Sequence, residues 1–313
     1  MISTINAVSL WKSIQAICHK IERYKKIKAR VIKGVGGEFV VMANDVCQNV
    51  YARKKLKTDK VYVGDFVEVD AAQNVIEKVY DRKNKLVRPP VANVEQVLLL
   101  LAPVPKPDFL LVDKLLIKYL SLGIEPIIVV NKMDMDNADE WYREIVSQYQ
   151  KFTVLGVSAK TDADFTKLLD LLAQKFTLLT GQSAVGKTSL LNKLLKTEML
   201  EVGELSKKTA RGKNTTRHSQ IFVLHNGGLI ADSPGFSAFE LDNFTPEDIV
   251  DYTLEFEGIS QQCKYNDCNH IGEDESICAV KRILKEGKIN KERYSRYCEL
   301  FGIAKEKEDK KYE

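Results

Sequence analysis

No part of this 313-residue sequence stays apolar for long. The longest unbroken run, Val97 to Ala102, falls far short of the roughly 20 residues that a membrane-spanning helix needs. The opening residues contain no continuous apolar stretch followed by a small-residue cleavage site, so no secretory leader is expected and the chain reads as cytoplasmic, with no membrane partner. A dominant charge sign is also missing. Against 47 Lys and Arg stand 43 Asp and Glu, for a net +4. Such a balance does not by itself argue for a polyanionic partner, although local basic clusters leave one open. Cysteine is sparse and unevenly spread: of six, Cys263, Cys268 and Cys278 crowd together, while Cys18, Cys47 and Cys298 stand apart. In a reducing compartment, crowded thiols point to metal rather than to disulfides.

What is present divides into four textures. Residues 1–27 carry Leu10, Ile14, Ile17, Ile21 and Tyr24 at spacings of three and four, a stripe that predicts a short helical extension. It either packs on its own protein or serves as a basic partner-binding helix. Residues 28–85 hold short β-branched runs such as "ARVIKGVGGEFVVM" and "DFVEVD" between turn residues, which predicts a small five-stranded oligonucleotide-binding (OB) type barrel. Its "RKKLK" run at 53–57 is either a charged, edge-protecting segment or an RNA contact. Residues 86–243 alternate buried strands ("VEQVLLLLA", "EPIIVV", "FTVLG", "FTLLTG") with helical spacing, the pattern of an α/β domain on a parallel sheet. Residues 244–313 turn polar and helical, starting from Thr245 as N-cap with a proline behind it.

The α/β region holds a phosphate-binding loop. Gly181, Gly186, Lys187 and Thr188 satisfy G-x-x-x-x-G-K-[ST], with a strand entering and a helix leaving. Glycines let backbone N–H groups wrap phosphates, and the helix N-terminus adds its positive dipole end. Lys187 suits the β- and γ-phosphates, and Thr188 suits Mg²⁺. Upstream, "NKMD" follows a strand. Asp134 can accept from guanine N1–H and its 2-amino group at once, whereas adenine would leave a buried carboxylate there unpaired. Asn131 suits guanine O6 and N7, and Lys132 packs along the base. The "SAK" at Ser158, Ala159 and Lys160 offers a backbone N–H to O6. Downstream, Asp232 can hold Mg²⁺ through water, the Gly235 N–H can meet the γ-phosphate, and "NTTR" supplies Thr215 or Thr216 for the same metal. All five guanine-nucleotide elements are present in the order 4-5-1-2-3. Joining the natural ends and opening new ones leaves a sheet intact, since termini often lie close together. The reordering puts the Cys-rich segment directly behind "DSPG", so a mechanical link through residues 237–245 is expected.

Cys263, Cys268, His270 and Cys278 offer three thiolates and an imidazole, a closed tetrahedral Zn²⁺ set. The alternative is ordinary thiols without metal. Glu273 and Asp274 read as a solvated turn.

Together, "NKMD … SAK … GQSAVGKTS … NTTRH … DSPGF" and "CKYNDCNHIGEDESICAVK" resemble the small-ribosomal-subunit-dependent GTPase A family, from about residue 28 to the end. The resemblance implies an OB barrel, a circularly permuted GTPase domain and a zinc domain. It further implies late maturation of the small (30S) ribosomal subunit, contact with its 16S rRNA, and hydrolysis of GTP to GDP stimulated by that subunit, the protein acting as a monomer. Carried onto this chain, Gly181, Gln182, Ser183, Ala184, Val185, Gly186, Lys187, Thr188 and Ser189 would bind phosphate and Mg²⁺. Asn131, Lys132 and Asp134, helped by Ser158, Ala159 and Lys160, would select guanine. Two positions depart from the family. Its loop usually has Gly where Ala184 stands, so a negative φ is expected there. Its first switch commonly reads His-Thr-Thr, where this chain has Asn214; His218 is no obvious substitute. Phe236 stands where Ras-like enzymes carry a water-orienting Gln. Asn214 can orient a water but takes no proton. Two other readings compete: a GTP-dependent RNA- or ribosome-binding module with negligible hydrolysis, and a P-loop ATPase or kinase, against which Asp134 argues.

Overall fold

A computed structural model describes residues 26–53, 56, 60–161, 165–198, 220–232 and 244–311. The predicted N-terminal helix lies almost wholly outside them. The chain forms two compact units, residues 1–93 with 200–223, and residues 94–199 with 224–313.

In the first unit, strands β1 (Lys26–Val35), β2 (Glu38–Ala43), β3 (Val46–Ala52), β4 (Phe66–Asp70) and β5 (Val75–Val79) close into a barrel of order β1-β2-β3-β5-β4. Alternation dictates the interior: Ala29, Val31, Val41, Val50, Val67, Val69 and Ile76 point inward and form its core. Asn44 and Asp45 both take positive φ in the β2–β3 turn, as a two-residue hairpin with the right twist demands. The expected five-stranded barrel is present. After it come the short pair β6 (Lys85–Leu86) and β7 (Val91–Ala92), and this unit also holds β12 (Ile221–Val223).

In the second unit, β8 (Gln96–Leu101), β9 (Glu125–Val130), β10 (Thr153–Gly156), β11 (Phe176–Gly181) and β13 (Leu229–Asp232) form a parallel sheet ordered β10-β9-β8-β11-β13. Every residue of β8 and β11 is buried, because helices cover both faces; their largely apolar composition follows from that. The helices are α1 (Phe109–Ser121), α2 (Ala138–Gln148), α3 (Phe165–Leu172) and α4 (Lys187–Glu198). Parallel strands share one carboxyl edge, and in such sheets ligands bind outside that edge. The chain reaches it after β9 at Asn131, after β10 at Val157, after β11 at Gln182, and at Asp232, the last residue of β13.

The same unit continues through α5 (Pro246–Asp251), α6 (Ala279–Lys285) and α7 (Lys291–Asp309). Thr245 caps α5 in a reciprocal box with Asp248, as its sequence predicts. Ile249, Phe256, Val280, Ile289, Tyr297, Leu300 and Phe301 pack with Ile117 of α1 into one core. Among the described residues no helix is long and apolar enough to cross a membrane.

Candidate functional site

Asn131 is the joint of the site. It leaves β9 almost completely buried, at 1% exposure. Its Nδ2 donates to Val185 O at 2.9 Å, and its Oδ1 accepts from Ala159 N at 3.3 Å. One side chain thus fastens the loop after β9 to both the phosphate-type loop and the "SAK" segment. Both ends of the amide meet protein, so the side chain braces the loops, while each end keeps the capacity for a second hydrogen bond. Gly186 makes the brace possible: a Cβ there would lie 2.3 Å from Asn131 Nδ2, and its φ is +97°. Lys132 adds a second tie, with Nζ donating to Ala184 O at 2.9 Å and to Val104 O at 2.7 Å.

Asp134 stands beside these ties with its carboxylate already engaged. Ser158 Oγ donates to Oδ1 at 2.7 Å, and Lys160 Nζ lies 2.9 Å from Oδ2. The Lys160 ammonium, then the Ser158 hydroxyl, hold this carboxyl below the usual carboxylate range. Ser158 Oγ also accepts from the N–H of Lys160 and of Thr161, which turns the segment back on itself. Lys193, on α4, donates from Nζ to Ser158 O at 3.4 Å and to Thr161 O, and lies 4.7 Å from the centre of the Phe165 ring.

Lys187 begins α4 and curls over the loop that precedes it, donating to Gly181 O at 2.5 Å and Gln182 O at 2.7 Å. Burial pulls its pKa down, and the nearby Asp232 carboxylate pushes the other way. Ser183, Ala184, Thr188 and Ser189 are exposed around it. Ala184 corrects an expectation: its φ is +65°, not negative. The loop turns the carbonyls of Ala184 and Val185 toward Lys132 and Asn131, and that direction fixes the backbone angle. Asn214, Thr215, Thr216, His218, Gly235 and Phe236 lie outside the described residues.

The structure therefore brings three loops together that the chain separates, with a carboxylate suited to a guanine edge and an ammonium suited to phosphates on one sheet edge. The sequence model of the family described as RsgA GTPase matches residues 79–242. The chain belongs to the RsgA GTPase family. It is a GTP-hydrolysing enzyme with the circularly permuted fold. "Small ribosomal subunit biogenesis GTPase RsgA" of Caldanaerobacter subterraneus subsp. tengcongensis is 35% identical over 297 residues, covering 92% of this chain and 99% of that one. The protein of the same name from Alkaliphilus metalliredigens is 35% identical over 288 residues, covering 89% and 98%. Among solved structures, YjeQ from Thermotoga maritima superposes with a TM-score of 0.75 at 30% identity, covering 90% of this chain and 99% of that one. YloQ, described as a circularly permuted GTPase, gives 0.73 at 27% identity, covering 91% and 96%.

The RsgA GTPase chain holds a second cluster that could bind one metal ion: Cys263, Cys268, His270 and Cys278, with ligand atoms all within 4.8 Å of one another. His270 Nδ1 lies 3.6, 3.3 and 3.5 Å from the sulfurs of Cys263, Cys268 and Cys278. Metal–sulfur and metal–nitrogen bonds of tetrahedral zinc put those atoms about 3.6 Å apart, so the donor set fits. Burial pushes the Cys268 thiol up to about 12 and the Cys278 thiol above its usual range. The cluster is framed by residues that spacing did not single out. Tyr294 Oη donates to His270 O at 2.5 Å, Tyr297 Oη to Asn269 O at 2.6 Å, and Phe256 meets the His270 ring edge-on at 5.1 Å. Asp274 is exposed, as expected of a turn, but Glu273 is half-buried and accepts from Asn269 N at 3.0 Å, bracing the His270 turn.

Lys193 and the tyrosines of α7 escaped sequence reading because a lysine or tyrosine within a helix carries no motif. Their partners lie 24 to 35 residues away.

Proposed function

We propose that this GTPase acts in late maturation of the small ribosomal subunit, binding its 16S rRNA in the triphosphate form and leaving after hydrolysis. The observation that carries this reading is the Asn131 brace. It ties the loop that carries Asp134 to the loop that leads into Lys187, which supports one nucleotide lying between them despite their swapped order in the chain. In this reading Asp134 selects guanine, with the loop of Ser158, Ala159 and Lys160 offering an N–H to O6. Gly181 to Ser189 wrap the phosphates, and Lys187 turns from its carbonyl partners to the β- and γ-phosphates. Thr188, at the exposed first turn of α4, holds Mg²⁺ together with Thr215 or Thr216 and, through water, Asp232. The ion neutralises charge that develops on the phosphates. Gly235 meets the γ-phosphate. Asn214 orients the attacking water without taking its proton, which implies slow unaided turnover. Cys263, Cys268, His270 and Cys278 hold one Zn²⁺; four protein ligands leave no open position, so its role is structural. Residues 28–85, 86–243 and 244–313 serve as barrel, GTPase and zinc domains, and the protein works in the cytoplasm as a monomer. The names of its relatives support the ribosomal partner.

The test is GTP turnover with and without purified small subunits, beside co-sedimentation with them in GDP and in a non-hydrolysable GTP analogue. Faster turnover and triphosphate-dependent pelleting are expected; equal rates together with nucleotide-independent pelleting would refute the proposal.

A further inference from the structure

We infer that Lys193 is a positioning residue for guanine selection, holding the 158–161 loop in place from the phosphate-loop helix. The inference rests on the guanine-nucleotide reading above. Among the contacts of the Lys193 ammonium with described residues are the carbonyls of Ser158 and Thr161, at the two ends of the loop, and the face of Phe165 just beyond it. Phe165 is itself buried at 7% exposure, so the ring is a fixed wall. Amide carbonyls carry partial negative charge, and a cation held between two of them and a ring face makes charge-assisted contacts stronger than neutral ones.

The placement has a mechanical meaning. Lys187 and Lys193 are six residues apart on one helix, so they are separated by about 9 Å along its axis. The first faces the loop that would hold phosphates. The second holds the loop that would meet the base. A rigid helix then sets the distance between the two ends of the nucleotide site. Asp134 is held by the same loop, through Ser158 Oγ and Lys160. Lys193 therefore governs both the loop N–H offered to guanine O6 and the setting of the carboxylate that reads the 2-amino group.

This coupling is testable in the full chain. Lys193→Met keeps a long stem over Phe165 and removes the donors. Its dissociation constant for GTP should rise about tenfold, the scale of one lost charge-assisted hydrogen bond, with kcat at saturation falling less than about twofold. The preference for GTP over 6-thio-GTP, set at the O6 position, should shrink toward one. The preference for GTP over ITP, set by Asp134, should shrink with it, because Ser158 and Lys160 of the same loop orient that carboxylate. Lys193→Arg should restore GTP affinity and both preferences, because a guanidinium also offers donors to both carbonyls. Unchanged GTP affinity, preferences that do not move, or no recovery with arginine would each overturn the inference. If Lys193→Met does not fold, Lys193→Gln, too short to reach both carbonyls, carries the same expectations. Wild-type protein that binds ATP as well as GTP would instead defeat the guanine reading itself.

Discussion

Ala184 carries a methyl group at a backbone angle that favours glycine, φ +65°. A left-handed alanine costs roughly 1–2 kcal/mol, of which glycine's extra chain entropy would return about half. Ala184→Gly is therefore expected to raise stability by about 0.5–1 kcal/mol, read as a higher urea midpoint with unchanged slope. A lower midpoint would show that the loop has relaxed around the methyl. Lys187 makes a second residue-scale case. Burial depresses its pKa, so the fold binds this proton less tightly than the unfolded chain does. The sign follows: keeping the ammonium charged at neutral pH costs stability, and the cost fades only as pH rises through the lowered value. Lys187→Met should leave the melting temperature of the nucleotide-free protein unchanged or higher while abolishing GTP binding. A clear drop in melting temperature would mean that the hydrogen bonds to Gly181 and Gln182 outweigh the burial.

At the scale of elements, Cys278 has two duties. It belongs to the metal-ligand set, and its sulfur also accepts from Lys281 N at 3.4 Å as the N-cap of α6. The cluster therefore anchors the start of a helix, while Tyr294 and Tyr297 bind its backbone to α7. Structural zinc contributes its binding energy to folding. Cys268→Ser should bind no zinc, against one per chain in the wild type, and should lower the melting temperature by about 10 °C or more. GTP binding measured well below that melting temperature should persist. An unfolding trace unmoved by Cys268→Ser or by a strong chelator would show that the cluster holds no structural metal. The sheet offers a contrast: β8, β9 and β11 were legible directly from "VEQVLLLLA", "EPIIVV" and "FTLLTG", because strands buried on both faces are apolar at nearly every position rather than at alternate ones.

At the scale of the molecule, Asp113 decides how the last helix is held within the second unit. It is wholly buried on α1, and Arg293 Nη1 and Arg296 Nε of α7 reach its Oδ2 at 2.9 and 2.5 Å. Tyr149 Oη donates to its Oδ1 at 2.7 Å, while Arg293 Nε lies 3.0 Å from Glu255 Oε1. Removing one member of such a buried set strands the rest, at a cost of about 3–5 kcal/mol. Asp113→Ala should lose that much by urea unfolding, and Asp113→Leu combined with Arg293→Met and Glu255→Leu should recover most of it. Equal losses in the single and triple variants would dissolve the network as a unit. Nothing in the sequence pointed to this set, for Asp113 and Arg296 are 183 residues apart and each reads as an ordinary helical charge. By contrast, the loop residues Asn131, Asp134, Ser158, Gly181 and Lys187 were legible, because phosphate wrapping and base pairing demand fixed residue types at short spacings. The sequence by itself determined which strand ends bear the motif residues, since that information is local and survives any reordering of the segments. Only the tertiary structure decided what those ends touch: Asn131 against Val185, Lys193 against Ser158, Asp113 against Arg293. Such neighbours are set by packing between distant elements, and a buried amide or charge takes whichever partner the fold brings within about 3 Å.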